Sequence, residues 1–129
     1  MNIEVVPFGQ TYEWSNAASI TELSYGQSGL RVVVSAPIGS DAFVEIFLPG
    51  ANAFQVLPNA DHLGYWGNQC FETKHLVYKF VKGGWLARVG EHYMQVLKTD
   101  LNQSEWLIVS TDHCVSVVSG SEPLIRPFT

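Results

Sequence analysis

The sequence predicts a mainly β protein: an antiparallel β-sandwich, barrel or strongly bent sheet of about eight short strands with at most one or two short helical turns, residues 1–129 forming a single domain. Three observations lead there. Apolar residues come in short runs that alternate at period two or are β-branched throughout, turn residues recur about every 8–12 positions, and helical signals are sparse. The composition, 47% apolar with only 15% charged residues, is too hydrophobic for disorder. The longest charge-free stretch, Ile46 to Ala60, is broken by Pro49, Gly50 and Pro58 and falls short of the roughly 20 apolar residues of a spanning helix.

Along the chain, Trp14 to Leu23 offers a weak helical start with Ser15 as its cap, but Ile20 to Tyr25 alternates as a strand, and that reading is preferred. The strand runs into a Gly26-Gln27-Ser28-Gly29 turn. Leu30 to Val34 is β-branched and bounded by Gly29 and Pro37. A short connection leads to Ala42 to Leu48, where Ala42, Val44, Ile46 and Leu48 share one face and Phe43, Glu45 and Phe47 the other. These two runs read as a hairpin whose second strand is covered on both sides.

Ala53 to Leu57 is a further strand, stopped by Pro58, and Asn59 to Leu63 can open one helical turn before Gly64 and Gly67 end it. Leu76 to Val81 and Trp85 to Val89 flank Lys82-Gly83-Gly84, the clearest hairpin signal in the chain. Tyr93 to Leu97 adds a strand and Thr99 to Ser104 a loop. Glu105 to Ser110 and Cys114 to Val118 close a last hairpin around Thr111-Asp112-His113, with Trp106 in the core, and Pro123 and Pro127 make 122–129 an extended tail.

Charge is split between the halves. Residues 1–73 carry Glu4, Glu13, Glu22, Asp41, Glu45, Asp61 and Glu72 against Arg31 alone, a net of −6, whereas residues 74–129 net +1. Either acids and bases meet across the sheet, or part of the acidic half stays exposed and steers a basic partner toward it. With a total of −5 and no basic run, the chain repels phosphate, so nucleic acid is not an expected partner, and neither is a membrane. Glu4 stands where a secretory signal carries positive charge, and Cys70 and Cys114 have no paired spacing. A cytoplasmic protein with reduced thiols is therefore expected.

Motifs for chemistry are thin. His62, Cys70 and His75 with Asp61 or Glu72 are zinc-ligand types, but their spacing presets no pair of ligands, and neither metal nor cofactor is expected. Asp112-His113-Cys114 sets acid, imidazole and thiol in a row, yet strand neighbours point to opposite faces; a Cys114 pairing with His62, His75 or His92 across the fold stays open. No catalytic residue is nominated.

What remains is aromatic: Trp66 and Trp85 lie beside glycines near chain reversals, where a Trp can anchor a partner. The leading expectation is a non-enzymatic protein-interaction module of inhibitor, immunity or adaptor type, with Trp66, Trp85, Asp61 and Glu72 as binding residues and a basic protein as partner. A small-molecule-binding barrel and a small His/Cys or carboxylate enzyme are the alternatives. Strand edges and the uncharged run Trp106 to Val109 add the expectation of a homodimer.

Overall fold

Gly26 and Gly29 pair across the two-residue loop Gln27-Ser28, and Gly29, at φ +124°, supplies a backbone angle that a side chain would oppose. That turn joins β2 (Ser19–Gly26) to β3 (Gly29–Ser35) in the computed structural model, which describes residues 4–58, 74–82, 103–111 and 113–128. The other strands are β1 (Glu4–Thr11), β4 (Phe43–Leu48), β5 (Ala51–Pro58), β6 (His75–Lys82), β7 (Ser104–Val109), β8 (His113–Ser119) and β9 (Leu124–Phe128). Among the described residues the only helical element is the 3-10 turn Ser15–Ala17, and Trp14, not Ser15, occupies its N-cap.

Among the described residues all pairings are antiparallel and make two sheets, one ordered β1-β6-β7-β8-β5 and one ordered β2-β3-β4-β9. Neither closes into a barrel, so of the three expected architectures the sandwich or bent sheet is the one formed. Strand alternation explains how the two sheets meet. Leu30, Val32 and Val34 of β3 and Val44, Ile46 and Leu48 of β4 are fully buried on one face, and they join Val77, Trp106, Ile108, Val115 and Val117 of the five-stranded sheet in one cluster. Each such side chain contributes about 1.5–3 kcal/mol by leaving water, which makes this cluster the main source of stability.

The five-stranded sheet is buried on its other face too, where Val5, Tyr78, Phe80, Leu107, Val109 and Cys114 form a second cluster. That is why Trp106-Leu107-Ile108-Val109 shows no polar alternation: both sides of β7 are dry. Among the described residues two buried polar atoms, Trp106 Nε1 and Ser116 Oγ, have no hydrogen-bond partner. The Trp106 ring itself is well held, with Phe8 against it edge-on at 4.9 Å and the Lys79 ammonium 5.6 Å from its centre.

The expected strands at 20–25, 30–34, 42–48, 53–57, 76–81, 105–110 and 114–118 all form, each within a residue or two of its sequence limits, and the β7–β8 hairpin pairs Val109 with Cys114 as the turn signal requires. Ser104 belongs to β7 rather than to the preceding loop. The tail is more than extended: Leu124 to Phe128 pairs with β4 as β9. Glu4 to Thr11, which shows no strand pattern, pairs with β6 as β1. The expected strands Trp85 to Val89 and Tyr93 to Leu97 and the turn Asn59 to Leu63 lie outside the described residues. Among the described residues no helix is long and apolar enough to cross a membrane.

Candidate functional site

Asp61, Trp66, Glu72 and Trp85 all lie outside the described residues, as do His62, Cys70 and His92. The structure therefore bears on the remaining sequence-nominated groups, first of all Cys114. Its thiol is completely buried in the second apolar cluster, and burial pushes it up from 9.0 to about 12, against a smaller lowering by a backbone hydrogen bond from Ser110. A thiol held protonated this firmly is not a nucleophile at neutral pH. His113 is exposed while Cys114 is buried, the strand alternation that keeps neighbours apart. Ser110 is committed to the turn: its hydroxyl donates to the His113 carbonyl at 2.6 Å and accepts from the His113 N–H at 3.1 Å.

His75 opens β6 with its ring 6.1 Å from that of Tyr78. Among the described residues no three of His, Cys, Asp and Glu gather as a metal-ligand set.

Acids of the acidic half find basic partners in two ways. Lys74 Nζ, from the basic half, reaches Glu13 Oε2 at 3.0 Å. Arg31, the one base of the acidic half, donates from Nε to Glu45 at 2.7 Å and from Nη1 to Glu22 at 3.1 Å. The hydrogen bond to Glu45, then that to Glu22, raises the guanidinium further above its already high ordinary value. Three of the acids counted in the −6 half are thus paired, with the side chains of Glu13 and Glu22 still largely exposed.

These ion pairs mark the surface that the structure does show, the outer face of β2-β3-β4-β9. Register sets Glu45 between Val33 and Arg126, Phe43 beside Phe128, and Phe47 beside Leu124. The Phe43 and Phe128 rings stack with centroids 4.9 Å apart and planes 19° from parallel. Phe128 keeps 40% of its surface exposed and Leu124 55%. A charged centre, Glu22–Arg31–Glu45, is thereby bordered by accessible aromatic and aliphatic side chains on a four-strand platform.

Half of this face is visible in the sequence, because Phe43, Glu45 and Phe47 alternate with the core residues Val44 and Ile46. The other half is not: Leu124, Arg126 and Phe128 belong to a proline-flanked tail with no long run to announce pairing. No protein family, curated protein or solved structure matches this chain.

Proposed function

We propose that the chain is a non-enzymatic protein-interaction module, of inhibitor, immunity or adaptor type, that binds a basic protein partner through an aromatic and charged face. The observation that supports this reading most is the outer face of the four-stranded sheet, where the Phe43–Phe128 stack and Leu124 lie open beside the Glu22–Arg31–Glu45 network. Exposed aromatics next to fixed charges are the composition of a protein contact: rings supply area with little rotamer entropy to lose, and charges set orientation. The chain's net −5 favours a basic partner by steering. The sequence-nominated Trp66, Trp85, Asp61 and Glu72 are the second part of the proposal.

Cys114, buried with its thiol held protonated, does not support a nucleophile at that one position.

The test is capture from native extract with an N-terminal tag, followed by calorimetric titration with the purified captured protein. Phe128→Ala and Leu124→Ala are each expected to weaken binding about tenfold or more, as interface anchors do, and Trp66→Ala comparably. Affinities unchanged within a factor of about two for all three variants would overturn the reading, since anchors of this size are felt when truncated.

A further inference from the structure

The two sheets present four edge strands among the described residues, and these edges differ. β1 carries Pro7, β9 carries Pro127 and β5 ends in Pro58, whereas β2, Ser-Ile-Thr-Glu-Leu-Ser-Tyr-Gly, has no proline. Among the described residues its pairing is to β3 alone, and its one irregularity sits between Ile20 and Glu22, leaving Glu22 to Gly26 in regular register. Gly26 and Gly29 bracket the two-residue turn and so form a hydrogen-bonded pair; counting back, Leu23 and Tyr25 turn their N–H and C=O groups away from β3. An open edge of this kind is a template for another strand.

We propose that this edge pairs with β2 of a second copy of the chain, antiparallel about a twofold axis through Ser24. Side-chain self-complementarity selects that occupant. The axis sets Leu23 opposite Tyr25 of the second copy, an aliphatic-aromatic pair on the inner face, and Ser24 opposite Ser24 on the outer face. It sets Glu22, the one charge on β2, opposite Gly26, so no like charges meet. Leu23 and Tyr25 present the outward backbone groups that exchange hydrogen bonds. A symmetric pairing uses up the open edge of both copies and closes the assembly at two chains, joining the four-stranded sheets across the axis. Strand pairing alone buries less than a standard interface, so the dimer forms at about micromolar concentrations or above. The proposal stands apart from the binding face: Phe128 lies on β9, at the opposite side of the sheet, and Phe128→Ala leaves dimerisation unchanged.

Sedimentation equilibrium from about 1 to 100 µM, a span chosen to bracket weak strand-paired dimers, tests for the dimer directly. Ser24→Cys, in a chain with Cys70→Ser, places two thiols at directly opposed, closely spaced positions and is expected to give a covalent dimer on mild oxidation. Ser28→Cys, in the turn beyond the paired run, gives no covalent dimer under the same treatment. Ser24→Asp sets two carboxylates against each other across the axis and is expected to weaken the dimer at least tenfold. At concentrations too low for the dimer its thermal melting stays close to wild type, because Ser24 is exposed. A monomer throughout the concentration range, a dimer that Ser24→Cys does not cross-link, or cross-linking to a different protein in its place would each overturn the proposal.

Discussion

Where β1 and β9 approach each other on one flank of the sandwich, Gly9 takes φ +84° and a Cβ built on it would come within 2.7 Å of Ile125 Cδ1; both strands carry an internal proline. Where β2 and β5 approach on the other flank, Tyr25 rests against Phe54 with ring centroids 5.2 Å apart while remaining 52% exposed, and neither strand has a proline before its last residue. The first flank is sealed by the Ile125 side chain against the Gly9 backbone and by missing donors, and the second is left available. Both hang on the same doubly buried centre, β7 and β8. Sealing one flank and leaving the other confines strand pairing to one side of the sandwich.

The largest expected effect tests the centre on which both flanks depend. Cys114 is lifted in the folded chain from 9.0 to about 12, so folding favours the protonated thiol. Its contribution to stability is complete below pH 9, where the thiol is protonated in both states. It is lost as pH rises from 9 to 12, with a slope of about 1.4 kcal/mol per pH unit while only the unfolded chain ionises. Denaturant unfolding of wild type against Cys114→Ala between pH 7 and 11 is expected to show a constant difference up to pH 9 and a shrinking one above. A constant difference to pH 11 would mean that the thiol is reached by water in the folded state, and the centre would not be dry.

Next comes a direct contrast of the flanks at two glycines. Gly9→Val on the sealed flank forces a β-branched residue into the left-handed region and against Ile125, and is expected to lose about 3 kcal/mol in chemical denaturation. Gly26 on the open flank has no positive φ and nothing within 4 Å of an added Cβ, so Gly26→Val is expected to change stability by less than about 1 kcal/mol. Equal losses at the two positions would erase the distinction between a packed flank and an available one.

A subtler contrast is read in association rather than in stability. Pro127 pairs in register with Val44 and cannot donate to the ladder, so its ring nitrogen faces outward along the edge. Pro127→Val restores an outward N–H on β9. Light scattering is expected to show higher-order association of this variant above the wild-type level, with the melting temperature little changed. No added association would show that proline is not what guards that edge.

The same prolines explain what could and could not be read from the chain. β3, β4, β7 and β8 were legible because burial of one or both faces writes a period-two or continuous apolar run, as in Leu30 to Val34 and Trp106 to Val109. β1 and β9 were not, because Pro7 and Pro127 are signals against a strand, and only an edge position makes them compatible with one. The candidate face divides along that line: Phe43, Glu45 and Phe47 follow from alternation on β4, whereas Leu124 and Phe128 reach the face through a pairing 80 or so positions away in sequence that no local pattern encodes. The charge split was only partly legible for a similar reason. Glu22 and Glu45 are paired by Arg31, a base of their own half, because strand register and not sequence half decides which charges meet.

The smallest expected effect lies in the interior next to the open flank. Ser116 of β8 pairs in register with Gln55 of β5 and Leu107 of β7, is fully buried, and its hydroxyl has no partner. An unsatisfied buried hydroxyl opposes folding by about 1–3 kcal/mol, while removing its oxygen leaves a void smaller than a methyl group. Ser116→Ala is therefore expected to stabilise the chain by about 1 kcal/mol, seen as a higher denaturant midpoint at unchanged m-value. A loss of stability instead would mean that the hydroxyl is satisfied in solution, and that water reaches β8 on the side of the sandwich whose edge stands open.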